Sequence, residues 1–119
     1  MKIAVTSSGT NLDSEVDPRF GRAAYFLIVD PDTFQFEVVD NAENANALKG
    51  AGITAAKTVC DKGANVLITG FCGPNAFKAL KAVNINVADN ATGTIKEALE
   101  NYANGKLQIA EEPNAEGHW

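Results

Sequence analysis

The chain has 119 residues, enough for one domain with a substantial hydrophobic core. Its 45% hydrophobic and 21% charged content is ordinary for a globular protein. A net charge of −5, with no basic run, argues against broad electrostatic binding of nucleic acid or of an anionic membrane. No apolar stretch approaches the ~20 residues of a membrane helix. The N-terminus enters a strand directly, with no signal-peptide pattern. Two cysteines make no disulfide framework, so a reducing cytoplasm is the expected compartment.

Residues 2–6 read as a first strand. A long loop follows from Ser7 to Arg22, and a loop of that length is either functional or disordered. Ala23 to Asp30 is a continuous apolar run, a central strand. Pro31-Asp32-Thr33 is a turn, and the segment from Phe34 to Asp40 alternates as a half-exposed strand does. The two runs form an antiparallel hairpin. The Asn/Ala segment 41–50 carries little core signal and reads as loop with, at most, a frayed helical turn.

A helix is predicted from Ile53 to Lys62, with Ile53, Ala56 and Cys60 on one stripe, Val59 beside them, and Gly63 as its stop. Asn65 to Thr69 reads as a short buried strand. The turn Gly70-Phe71-Cys72-Gly73 then leads to Pro74, which suits the first position of a helix because its missing N–H costs nothing there. Ala76, Phe77, Leu80 and Val83 give that helix an apolar face. Residues 84–88 are a last strand. Thr94 and Glu97 match a capping box, and Ile95, Ala98, Leu99 and Tyr102 form the stripe of a final helix. Leu107 and Ile109 are candidates for an edge contact. The domain is expected to span 1–110, with 111–119 as a flexible tail.

This order of elements, β-β-β-α-β-α-β-α, fits an α/β fold. Short, right-handed connections favour a five-stranded mixed sheet of order 3-2-1-4-5, with strand 2 antiparallel and helices on both faces. Strands 1, 3, 4 and 5 then end at one edge of the sheet. The chain switches direction between strands 1 and 4, where open α/β sheets bind ligands. The long loop and the Gly70–Gly73 turn flank that point. They bring together Ser7, Ser8, Arg19, Phe20, Gly21, Arg22, Gly70, Phe71, Cys72, Gly73 and Asn75. Free N–H groups at a helix start favour a negative ligand, and the arginines agree.

Individual signals have plainer readings beside them. Asp13, Glu15 and Asp17 resemble a calcium loop faintly, but Pro18 and Ala24 stand where Gly and Glu are needed, so the acids read as solvated. Cys60 reads as a core residue. Cys72 is either a small packing residue or a thiolate stabilised by the helix that follows. His118, alone of its kind and in the tail, is either a spare residue or a metal ligand.

The opening Lys2-Ile3-Ala4-Val5-Thr6-Ser7, the Phe20-Gly21-Arg22-Ala23 step into Phe26–Asp30, and Gly52-Ile53 through Gly63 occur in one order with Ile68-Thr69-Gly70, Gly73-Pro74-Asn75-Ala76 and Thr94-Ile95-x-Glu97-Ala98-Leu99. In that order they resemble the dinitrogenase iron–molybdenum cofactor family over nearly the whole chain. The resemblance implies a ribonuclease H-like fold. It also implies binding or carriage of iron–sulfur or molybdenum–sulfur clusters in nitrogenase cofactor biosynthesis, and this chain looks like a small stand-alone member. Small proteins of the family it resembles include ones that hold a mixed molybdenum–copper sulfide cluster. Two departures are visible: Arg19 stands where many members carry His, and the tail has only His118. The cluster is then expected to rest on Arg19, Arg22 and backbone N–H groups, with Cys72 as an optional ligand.

The expectation is a non-catalytic carrier or assembly protein for an anionic metal–sulfur cluster, with a donor or acceptor protein as partner. The alternative is an enzyme or binding module for a small phosphorylated metabolite at the same anion site. Nucleic-acid processing is disfavoured, because nucleases of such a fold need clustered acids and the first strand has none.

Overall fold

The computed structural model describes residues 1–114. Its strands are β1 (Ile3–Ser7), β2 (Tyr25–Val29), β3 (Phe36–Asp40), β4 (Val66–Ile68) and β5 (Asn86–Ala88). Its helices are α1 (Ala42–Ala45), α2 (Ala51–Asp61), α3 (Pro74–Ala82) and α4 (Ile95–Ala103). The sheet order is β3-β2-β1-β4-β5, as the connection rules require. β2 runs antiparallel to β1 and β3, while β4 lies parallel to β1 and to β5. The register sets Ala4 beside Ile28 and Leu67, and Leu67 beside Val87.

Side-chain alternation divides the core into two layers. Ala4, Phe26, Ile28, Leu67 and Val87 pack under Ala55, Val59, Phe77 and Leu80 of α2 and α3. Ile3, Val5, Leu27, Val29 and Ile68 pack under Ile95, Ala98 and Leu99 of α4. With both faces covered, β1 is buried at every position, which explains its apolar Ile3-Ala4-Val5; the buried hydroxyls of Thr6 and Ser7 donate to Asp17 O and Gly9 O. The capping box of α4 forms as expected: Thr94 Oγ1 accepts from Glu97 N–H at 3.1 Å, and Glu97 Oε1 accepts from Thr94 N–H at 3.0 Å. Ile109 bridges Ala88 antiparallel, and Leu107 packs against the α4 layer.

Several expectations need correction. The segment 7–22 is neither structureless nor a simple loop. It doubles back beside β1 through single bridges of Ser7 with Val16, Glu15 with Thr94 and Arg19 with Phe71. Asp17, expected to be solvated, is buried; its carboxylate accepts the N–H groups of Arg19 at 3.1 Å and Ala24 at 3.3 Å. It is spent on folding the loop. α2 starts two residues earlier than the periodicity suggests, and Ile53 is 53% exposed. The buried stripe is Ala51, Ala55, Ala56 and Val59, because small residues let α2 approach α3. Val83 falls past the end of α3 and is also exposed.

Candidate functional site

The parallel strand ends deliver four segments to one edge of the sheet, and the residues expected there divide by role. Ser7 is buried, with its hydroxyl donating to Gly9 O at 2.8 Å. Ser8 donates to Glu15 O. Both hydroxyls shape the loop. Phe20 is buried with its ring centroid 5.7 Å from that of Phe26. Arg19 lies beside Asp17 and pairs along the backbone with exposed Phe71. Gly70 packs so closely on Pro18 that a Cβ would lie 2.8 Å from its Cα. These groups bind the long loop to the β4–α3 turn.

Of the two readings of Cys72, burial supports the packing residue. Its side chain is 1% exposed within the α2/α3 core layer, and burial, with the charge of Asp89 as a second cause, pushes the thiol up to about 12. Desolvation therefore outweighs the helix start that follows. The chain also returns over this turn: Asn114 Oδ1 accepts the Cys72 N–H at 2.8 Å, and Asn114 Nδ2 donates to Gly70 O at 3.0 Å. His118 lies outside the described residues.

Arg22, Gly73 and Asn75 do meet, at a cavity of about 310 Å³. They are joined by residues the sequence reading did not select: Leu48, Lys49, Gly50, Ala51, Gly52, Ile53 and Ala76. Two helix starts share this cavity. α2 begins at Gly50, whose φ of +77° only a glycine adopts freely, and α3 begins at Gly73. Neither start has a side-chain cap. Each therefore presents first-turn N–H groups and the positive end of a helix dipole to the same space. Arg22 and Lys49 add two formal positive charges.

The spacing of the two starts is set by contact. A Cβ on Gly52 would lie 2.8 Å from Ala76 Cβ, and one on Gly21 would lie 2.7 Å from Gly52 N. Arg22 is held in place by the segment that looked featureless. Its Nη1 donates to Ala45 O at 3.0 Å and Ala47 O at 2.5 Å, at the end of α1. Asn41 Nδ2 donates to Ala23 O at 2.8 Å, and Asn44 Nδ2 to Ala51 O at 2.9 Å. These asparagines stitch segment 41–51 to the Phe20–Ala24 step. Among the described residues no group of three His, Cys, Asp or Glu is placed to hold a metal ion. What the cavity offers is charge and N–H donors for a compact anion.

The model of the family described as dinitrogenase iron–molybdenum cofactor matches residues 1–105. The chain belongs to that family. Among solved structures similar to this one, the apo form of the orange protein from Desulfovibrio gigas is 44% identical, with a TM-score of 0.93 over 96% of each chain. A NifB-type protein from Thermotoga is 36% identical, with a TM-score of 0.83 over 98% of each chain. An uncharacterised protein of Methanocaldococcus jannaschii is 31% identical over 111 residues, which cover 91% of this chain and 90% of that one. In this dinitrogenase iron–molybdenum cofactor family chain, no helix among the described residues is long and apolar enough to cross a membrane. One signal could have exposed the missed half of the cavity: Lys49-Gly50-Ala51-Gly52 puts two glycines at a helix start, comparable with Gly70 and Gly73 ahead of α3.

Proposed function

We propose that this chain is a non-catalytic carrier for an anionic metal–sulfur cluster, taken up as cargo in the cavity between the starts of α2 and α3. The observation that carries the reading is the convergence of two helix starts without side-chain caps, Arg22 and Lys49 on one space of about 310 Å³. A sulfide cluster is a compact, delocalised anion, and helix-start N–H groups and a guanidinium suit it without direct ligation. The family's name associates it with an iron–molybdenum cofactor, and the Desulfovibrio gigas relative is described as an apo form, which supports a bound group in that protein. Cys72 is not required in this reading, because its thiol is protonated and sealed. Arg19 flanks the loop and takes a lesser part.

The test offers anaerobically prepared protein either an iron–sulfur or a thiomolybdate cluster. After desalting, metal, acid-labile sulfide and the visible spectrum are measured. Wild type and Cys72→Ser retain cargo near stoichiometry, and excess inorganic phosphate competes only weakly. Lys49→Ala and Arg22→Lys lose most of it, since a lysine cannot both hold the α1 carbonyls and present a second face to cargo. Wild type that retains neither metal nor sulfide overturns the reading. Loss confined to Cys72→Ser would move the cargo to the thiol and overturn the proposed cavity.

A further inference from the structure

The net charge of −5 conceals a strong segregation. From Lys49 to Lys81 the chain carries five lysines and one acid, Asp61, a local balance of +4; the rest carries −9. That span builds α2, β4 and α3, and both helices cover the same face of the sheet. The opposite face, under α4, carries Glu97 and Glu100 beside the acidic loop of Asp13 and Glu15. One helical layer therefore has a net excess of lysine in an acidic protein, with Lys57 paired to Asp61 at 3.0 Å and Lys62 to Glu37 at 2.7 Å and Lys49, Lys78 and Lys81 outside those pairs.

The basic layer has an apolar centre. A groove of about 350 Å³ runs between α2 and α3, lined by Ile53, Ala56, Cys60, Ala79 and Val83, with the Lys57–Asp61 ion pair (3.0 Å) at its edge. Ile53 is 53% exposed and Val83 44%. Both fit an apolar helical pattern, yet neither is covered within the chain. Lys57 lies on the groove, and Lys49 and Lys78 are exposed in the same layer. Ile53 also lines the cavity at the helix starts, so groove and cavity adjoin at that residue.

We infer that the α2/α3 face is a docking surface for an acidic protein that inserts apolar side chains of a helix into the groove and sets carboxylates against the surrounding lysines. An apolar groove with an excess of one sign of charge around it, here Lys49, Lys57 and Lys78 against Asp61, is how a helix face is recognised and oriented. The charge of this layer is opposite to that of the remaining surface, so electrostatics would steer a partner here rather than elsewhere. A nucleic acid fits less well: the cations are all lysine, no aromatic lines the groove, and its centre is apolar. The surface is argued from charge and shape alone; the cargo reading gives it a use, not its support.

The experiment titrates isotope-labelled full-length protein, without cargo, with two synthetic amphipathic helical peptides. They share a leucine stripe and differ in their flanks, one glutamate and one lysine. Amide shifts are followed at low and high salt. The glutamate peptide should give saturable shifts centred on Ile53, Lys57, Cys60, Ala79 and Val83, weakening as salt rises. The lysine peptide should give none. Ile53→Ser, and separately Lys57→Glu with Lys78→Glu, should each weaken binding about tenfold or more with an unchanged fold, since all three side chains are exposed. Shifts centred on α4, equal binding of both peptides, or no saturable shift overturns the inference. Stronger binding of a single-stranded RNA at the same residues would assign the face to nucleic acid, and concentration-dependent self-association through it would assign it to a second copy; either result also overturns the inference. Neither Arg22 nor Lys49 is altered, so failure here leaves the cargo experiment standing, and the reverse holds too.

Discussion

Replacing Gly52 with alanine probes the contact that spaces the two helix starts. Gly52 lies in the first turn of α2, where alanine is ordinarily the better helix former. In open surroundings the exchange would stabilise by about 0.5–1 kcal/mol. Here the new Cβ would lie 2.8 Å from Ala76 Cβ. Carbon atoms prefer about 3.5–4.0 Å, so the helices must part locally by roughly an ångström. Overpacking of this kind costs about 1–3 kcal/mol. It wins, because Ala76 is 5% exposed and a methyl group has no rotamer through which to yield. The expected net loss is about 1 kcal/mol, read as a lower urea midpoint with an unchanged slope. A double-mutant cycle isolates the contact. Ala76→Gly alone should cost about 1 kcal/mol of helix propensity. Combined with Gly52→Ala it removes the clash, so the pair should be more stable than additivity predicts by about 1–2 kcal/mol. A stabilised Gly52→Ala protein, or two effects that simply add, would refute the claim that this contact sets the width of the cavity.

Thr94→Ala removes the cap of α4 and should cost about 1 kcal/mol in the same urea assay. Glu97 is held below its ordinary carboxylate value of 4.5 by its bonds to the Thr94 backbone and hydroxyl. A lowered folded value means that its contribution is present above that pH and is lost as the pH falls through the folded value, so Glu97→Gln should flatten the acid limb of the stability profile below about 4.5. The Cys72 thiol, raised to about 12, should resist an aromatic disulfide reagent at mildly alkaline pH, whereas partly exposed Cys60 reacts; peptide mapping separates the two. Rapid native labelling of Cys72 would contradict its sealed position, and unfolding should make both react alike.

The site was legible in uneven measure. Arg22, Gly73 and Asn75 could be placed at the cavity from sequence, because strand order and direction fix which loops share an edge. Lys49, Gly50 and Gly52 were missed despite their glycine spacing, because segment 41–50, which leads into them, lacks apolar periodicity and its structure rests on side-chain bonds to carbonyls elsewhere in the chain. Asn44 reaching Ala51 O and Arg22 reaching Ala47 O are examples. The choice at Cys72 between packing residue and thiolate stayed open for the complementary reason. A helix start argues for a thiolate, but burial argues against it more strongly, and burial depends on what Asn114 and the core bring over the turn.

By itself the sequence determined the elements whose signals are local or periodic. The buried strands, the Pro74 start of α3, the capping box of α4 and the order 3-2-1-4-5 all follow from residue spacing and short right-handed connections. Only the tertiary structure decided which faces are covered and which charges lie together. Periodicity shows that Ile53 and Val83 belong to apolar patterns, yet α2 and α3 meet through Ala55, Ala56 and Ala76 and leave both exposed. The five lysines between residues 49 and 81 are scattered in sequence and become one basic layer because two helices lie side by side on the same face of the sheet. Local chemistry fixes an element; its neighbours, brought from far along the chain, fix what that element presents to a ligand or a partner.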